Sequence, residues 1–123
     1  MIVVIGIGGA IGAVLRYLAS HHFAELLGTS FPWGTLVINL FGSFLLGILY
    51  GVSINFPLDP HIKGFIGTGL LGAFTTFSTF SIENLIMLRD GNYLAMMSYL
   101  AGTILGGIAC GFLGIVMDSL FPG

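Results

Sequence analysis

Charged residues are scarce in this chain, which has three lysines and arginines and five aspartates and glutamates, or 7% of its 123 residues. An ordinary globular domain carries about 25% charged residues. Hydrophobic residues make up 56% of the sequence, whereas a small soluble domain buries only about 60–70% of the surface that its unfolded chain exposes. The composition therefore argues against a soluble all-α domain and predicts an all-α integral membrane protein.

Basic patches, paired cysteines and enzyme motifs are also missing. A net charge of −2 provides no electropositive surface for nucleic acid, and Cys110 has no second cysteine with which to form an intrachain disulfide. The first arginine, Arg16, follows the first apolar run, which is the wrong order for a cleaved signal peptide. Because the apolar segments contain no nucleophile elbow, phosphate-binding loop or paired carboxylates, the chain is not expected to be an enzyme.

Four long apolar segments predict a single membrane domain over residues 1–123. They are Ile2–Leu18, Trp33–Ile54, Ile62–Leu88 and Tyr93–Leu120. A helix needs about 20 residues to cross a hydrocarbon core of about 30 Å, so the first segment is barely long enough and the third has spare length for a break. The stretch from His21 to Pro32 is expected to be a loop, and His21, His22 and His61 are expected in loops without a metal site.

The lysine and arginine distribution gives almost no preference for one orientation. Arg16 and Arg89 belong to one side of the membrane and Lys63 to the other, a count of two against one. Because this count sets orientation, the sequence predicts insertion in both orientations and pairing of two opposite copies in an antiparallel dimer. A single orientation set by other cellular factors is the alternative.

Asn39 and a glycine-rich stretch place polar groups deep inside the apolar segments. The Asn39 amide either joins two helices or offers its donors to an anion, and the residues alone favour neither. Gly67, Gly69 and Gly72, followed by threonines, weaken a helix. A break there would free carbonyls that suit Na⁺, although the spacing slightly favours a straight, tightly packed helix.

The stretch TTFSTFS, from Thr75 to Ser81, contains five hydroxyl groups and two phenylalanines. On a helix, Phe77 and Phe80 share a face. The edge of an aromatic ring is electropositive, so ring edges beside hydroxyl donors can accommodate an anion without a fixed charge that would bind it too tightly for conduction. The pattern favours a role for both rings beyond filling the core.

Two further polar features receive simpler interpretations. Glu83 either titrates in a pathway or pairs with Arg16 from another helix, and the structural ion pair is favoured. Tyr99 and Thr103 are four residues apart and extend a polar face along the fourth segment.

Three motifs together resemble the CrcB family, also called Fluc, of small bacterial fluoride channels. They are GGAIGAVLRY (residues 8–17), GTLVINLFGSFLLG (residues 34–47) and GLLGAFTTFSTFSIE (residues 69–83). The resemblance covers essentially the whole chain. It implies a dual-topology antiparallel dimer in the bacterial cell membrane, with two pores that let fluoride leave the cytoplasm passively.

The resemblance also implies roles for individual residues. It implies a broken third helix in which the backbone carbonyls of Gly72 and Thr75 hold a central structural Na⁺, and a vestibule arginine, Arg16. The residues implied along the fluoride path are Asn39, Phe77, Ser78, Thr79, Phe80, Tyr99 and Thr103. Gly107 and Gly111 depart from the pattern, since some relatives have hydroxyl residues there.

Three alternatives to a homodimeric channel are considered. A proton-coupled exporter like the small multidrug resistance proteins needs a carboxylate deep in its first segment, but the only candidate here, Glu83, lies late in the third. A non-transporting assembly subunit has no use for a cluster of hydroxyls and rings in mid-membrane. Pairing with a paralogous subunit stays open.

Overall fold

The computed structural model describes residues 1–120, and nearly all of them are helical. The elements are α1 (Ile2–Leu27), α2 (Trp33–Asn55), α3 (Pro60–Lys63), a π-helical segment (Gly64–Leu71), α4 (Gly72–Phe74), α5 (Ser78–Arg89) and α6 (Tyr93–Leu120). Four spans are long and apolar enough to cross a membrane: α1, α2, the composite span Pro60–Arg89, and α6. The predicted four-span, all-α architecture is confirmed.

The first helix is longer than its apolar run, and the expected loop from His21 to Pro32 is wrong over its first part. α1 continues to Leu27 because neither glycine nor proline occurs between Ala13 and Leu27. His21 Nε2 lies 3.2 Å from Glu25 Oε1, an (i, i+4) pair that supports this last part of the helix. The helix ends at Gly28, whose φ of 80° favours glycine.

The histidines are therefore helical rather than in loops. His21 and His22 lie in α1, and His61 lies in α3. Asp59 caps α3, where its side chain accepts a hydrogen bond of 2.8 Å from the backbone N–H of His61, and Pro60 occupies the first position of the helix. The same hydrogen bond holds the pKa of Asp59 below its usual value.

Glycines bring helix backbones into direct contact at two crossings. At the crossing of α1 with the π-helical segment, a Cβ on Gly8 would overlap the carbonyl oxygen of Phe65, and one on Gly12 would overlap that of Leu70. At the crossing of α2 with α6, a Cβ on Gly47 would overlap the carbonyl of Gly111. In a bilayer, where hydrophobic burial adds little between helices, such close approach supplies the packing energy.

A cluster of buried residues lies between α5 and α6 and contains Phe80, Met87 and Tyr99. Phe31, in the turn before α2, packs on this cluster, and its ring meets that of Tyr99 edge to face at 5.6 Å. The cluster fixes the start of α5 against α6, which is where the predicted site residues lie.

Candidate functional site

The third span breaks between α4 and α5, so the alternative of a straight helix is wrong. Thr75 has extended backbone geometry, with φ −80° and ψ 158°, and helix resumes at Ser78. The threonine hydroxyls add contacts at the break. Thr75 Oγ1 donates at 3.0 Å to the Leu71 carbonyl, which also accepts the helical bond from the Thr75 N–H. Thr76 Oγ1 accepts from the N–H of Thr79 at 3.3 Å, in the place of a backbone carbonyl. Thr75 and Thr76 are therefore not part of one continuous helical face with the residues that follow.

Asn39 joins α2 to this break through two hydrogen bonds to one residue. Its Nδ2 donates to the carbonyl of Thr76 at 3.0 Å, and its Oδ1 accepts from the N–H of Thr76 at 2.9 Å. Because a backbone N–H can only donate, these bonds fix which end of the amide is oxygen. Asn39 therefore joins two parts of the helical structure, as one of its two interpretations predicted. Contact between its second Nδ2 proton and an anion stays a prediction.

Arg16 reaches the same break from α1. Its Nε donates to the carbonyl of Ala73 at 3.1 Å. Glu83 lies past the break, in α5, and accepts a hydrogen bond of 2.9 Å from the Tyr99 hydroxyl. The expected Arg16–Glu83 ion pair is wrong, because each group has a different partner on its own side of the break.

Three carbonyls at the break stay free once these bonds are assigned. Within residues 1–120, the carbonyls of Gly72, Phe74 and Thr75 accept no hydrogen bond, since the backbone turns away from helix over residues 75–77. Neutral carbonyl oxygens are ligands that hard cations accept. Gly72 and Thr75, the residues implied as Na⁺ ligands, are both in this set, so the available oxygen ligands fit such an ion.

The two phenylalanines of the TTFSTFS stretch lie close together but differ in environment. Their ring centroids are 5.9 Å apart and the ring planes meet at 48°. Phe80 is 6% exposed, whereas Phe77 is 77% exposed. Ser78 and Thr79 are exposed beside Phe77, while Ser81 bonds back to the Phe77 carbonyl at 3.0 Å. An exposed surface of ring and hydroxyl groups therefore begins where α5 begins.

The two candidate pore residues of the fourth span, Tyr99 and Thr103, differ in their surroundings. Tyr99 is fully buried, with its ring centroid 5.0 Å from that of Phe80. Thr103 Oγ1 is buried and has no hydrogen-bond partner in the described part of the chain. A Cβ added at Gly107 or Gly111 would lie 3.8 Å from Ser43, an ordinary contact distance, so a Cβ fits at both positions.

A cavity of about 500 Å³ lies between the α1–α2 and α5–α6 turns, and Thr35, Thr79 and Glu83 are among its lining residues. Thr35 is a polar residue only 4% exposed, and the sequence analysis missed it. It lies four residues before Asn39, so the two share a face of α2. This spacing is the sequence signal that could have identified Thr35 as a candidate site residue.

Residues 3–115 match the family model described as CrcB-like protein, Camphor Resistance (CrcB). The chain belongs to the CrcB-like family. A protein of Leptospira interrogans serovar copenhageni named "Fluoride-specific ion channel FluC" is 47% identical over 121 residues, covering 98% of this chain and 95% of its own. A protein of the same name from Shewanella sp. (strain W3-18-1) is 48% identical over 93 residues, covering 76% and 75% of the two chains.

Membership of this family bears on two predictions, that the chain spans a membrane and that it is not an enzyme. Four apolar helices in a CrcB-like chain indicate a multi-pass membrane protein. The family is one of ion channels, so the chain is not an enzyme, as the sequence predicted.

Proposed function

We propose that the chain is a fluoride-selective channel that acts as an antiparallel dimer in a bacterial cell membrane, with two pores and a structural Na⁺ on the dimer axis. The observation that carries the proposal is the exposed surface at the broken third span. There, the ring of Phe77 and the hydroxyls of Ser78 and Thr79 lie beside the Asn39 joint, without a fixed charge among them. The choice of fluoride over other small anions rests on the names of the relatives.

The exposure of these groups in one chain supports a dimer. The two exposed hydroxyls at mid-span, beside a ring that is 77% exposed, are poor contacts for lipid, because polar groups there need partners. A second copy in the opposite orientation would present the same surface, so each pore would be built from both chains. A paralogous partner that presents a surface of the same shape is the alternative to a second copy.

Along each pore, fluoride would exchange water for neutral donors and ring edges. The free Nδ2 proton of Asn39 and the hydroxyls of Ser78, Thr79 and Thr103 are the donors, and the edges of Phe77 and Phe80 supply partial positive charge. The Thr103 hydroxyl, buried without a protein partner, has its hydrogen available for such an ion. Tyr99 would act chiefly by supporting Phe80.

The free carbonyls of Gly72 and Thr75 would hold Na⁺ together with the same pair from the second copy. When bound, the ion supplies positive charge that neutralises the convergent carbonyl dipoles of the break. The chain's own residues prepare the site by leaving those two carbonyls unpaired while Asn39 and Arg16 occupy their neighbours.

A passive channel is sufficient for export. An inside-negative membrane potential favours the exit of a monovalent anion by about 2.3 kcal/mol per 100 mV. No step in such a pathway requires a protonatable group to change state, which distinguishes it from a proton-coupled exporter using Glu83.

The test is fluoride efflux from liposomes that contain only the purified chain. We expect electrogenic efflux that requires a counter-ion path for K⁺ and does not respond to an imposed pH gradient. Efflux that depends on the pH gradient would favour an exporter, and no efflux until a second gene product is added would favour a heterodimer.

A further inference from the structure

Arg16 is bound to the backbone of the third span rather than to an acid. Its Nε donates to the Ala73 carbonyl at 3.1 Å, and the side chain is half-buried between α1 and α4. A charged donor makes a stronger hydrogen bond to a carbonyl than a neutral donor does. The guanidinium is therefore placed to hold one peptide plane of the break in a fixed direction.

The peptide planes around the break show why this position matters. The Thr76 N–H belongs to the same peptide unit as the Thr75 carbonyl, so the bond from Thr76 N–H to Asn39 Oδ1 orients the Thr75 carbonyl. The Ala73 carbonyl belongs to the unit directly after that of the Gly72 carbonyl. Asn39 thus fixes the peptide unit of the Thr75 carbonyl itself, and Arg16 fixes the unit that follows that of the Gly72 carbonyl.

From this arrangement we infer that Arg16 is a positioning residue for the cation site, which occupies the Ala73 carbonyl and so holds the adjoining Gly72 carbonyl in a fixed direction. The inference rests on the proposed function, since it concerns the Na⁺ of that channel. Without the guanidinium, the Ala73 carbonyl would be one more unpaired acceptor inside the membrane, and its peptide unit would rotate toward any donor it could find.

A purely electrostatic role for Arg16 makes the opposite prediction. A guanidinium near a cation repels it, so removing the charge would strengthen Na⁺ binding. A vestibule role predicts a third pattern, in which removal lowers fluoride flux in a way that depends on ionic strength but leaves Na⁺ binding unchanged.

The experiment measures Na⁺ binding by thermal stabilisation of the purified dimer in detergent. NaCl would replace N-methyl-D-glucamine chloride at constant ionic strength, with the fluorescence of Trp33 as the signal. The variants are Arg16→Gln, which keeps a donor on a shorter, neutral side chain, and Arg16→Lys, which keeps the charge. Arg89→Gln is the matched control, because Arg89 is exposed and, within residues 1–120, its side chain pairs with the adjacent Asp90.

We expect the Na⁺ midpoint to rise at least about 10-fold in Arg16→Gln, equivalent to about 1.4 kcal/mol. We expect a smaller rise in Arg16→Lys and none in Arg89→Gln. A merely structural role would lower the melting temperature at every Na⁺ concentration without moving the midpoint. That result, or a lower midpoint in Arg16→Gln, would overturn the inference.

Fluoride efflux from the same preparations separates this inference from the channel itself. If the wild-type chain passes fluoride but shows no stabilisation by Na⁺, the inference fails and the channel stands. If the wild-type chain passes no fluoride, the proposed function fails. Should Arg16→Gln not yield a dimer, the Arg16→Lys midpoint decides, since an unchanged value there would also reject a positioning role.

Discussion

At the scale of single residues, neighbouring side chains of one type have different tasks. Phe77 and Phe80 are three residues apart and their rings are close, yet one is exposed and the other belongs to the buried core with Tyr99. Sequence spacing gave both the same interpretation, because helical periodicity describes neighbours on one helix and says nothing of what packs against them. Burial separates their expected effects on stability.

Replacing each phenylalanine with isoleucine tests this difference. We expect both Phe77→Ile and Phe80→Ile to reduce fluoride efflux by about 100-fold or more, which corresponds to about 2.7 kcal/mol in the barrier. Only Phe80→Ile should also lower the free energy of unfolding, by about 1–3 kcal/mol, because it disrupts the core. Efflux and thermal unfolding in detergent would be measured on the same samples. Full efflux in both variants would show that the two rings serve only in packing.

Asn39→Asp tests the polar joint. The carboxylate can still accept from the N–H of Thr76 but cannot donate to its carbonyl. A negative charge about 4 Å from an anion costs about 4 kcal/mol at an effective dielectric constant of about 20, so efflux should fall by about three orders of magnitude. Liposome efflux at neutral pH is the measurement, and a fully conducting variant would place Asn39 outside the pathway.

At the scale of elements, the break and the π-helical segment before it form one unit with α1. The π-helical geometry brings the carbonyls of Phe65 and Leu70 onto Gly8 and Gly12. Of this unit, the sequence predicted the break, through the family motifs. It did not predict the π-helix or the partner of Arg16, because both depend on contacts between segments far apart in the sequence.

The glycine contacts can be tested within one helix. Gly12→Ala would place a methyl group against the backbone of Leu70, and we expect it to lower the free energy of unfolding by about 3 kcal/mol, the upper end for an overpacked site. Gly6→Ala is the control, since nothing lies within 4 Å of a Cβ at Gly6. Alanine's better helix propensity should leave that variant unchanged or stabilised by about 0.5–1 kcal/mol. Equal melting temperatures for the two variants would contradict the close approach.

The length of α1 shows another limit of the sequence at this scale. Hydropathy ends the apolar run at Leu18, but the helix continues nine residues to Leu27. Hydropathy reports where lipid ends, whereas a helix ends where its backbone is interrupted, here at Gly28.

At the scale of the whole molecule, the charge asymmetry is smaller than the sequence count suggests. Arg16 is bound to Ala73 at mid-span, so it does not act as a loop charge. The remaining cations are Arg89, near the α5–α6 turn, and Lys63, at the end of α3. The α1–α2 and α5–α6 turns share one side, since both line the same cavity, and the balance becomes one against one.

Added lysines should therefore control orientation. Thr29→Lys with Ser30→Lys should commit the copies to one orientation, and Phe56→Lys with Pro57→Lys to the other, as read by a C-terminal reporter. Each variant alone should lose efflux, and co-expression of both should restore it, because an antiparallel dimer needs both orientations. Thr29→Gln with Ser30→Gln serves as the neutral control. Retained efflux from a single fixed orientation would rule out the antiparallel dimer.

If the chain acts as the antiparallel dimer proposed above, the even balance between Arg89 and Lys63 also bears on how its sequence changes over generations. A single basic substitution in either exposed turn would be enough to make all copies insert in the same orientation. A lineage with this change would survive only if a duplicated gene drifted the other way, after which neither descendant could be lost. One gene serving both orientations is thus a state that very small sequence changes can leave and that is difficult to re-enter.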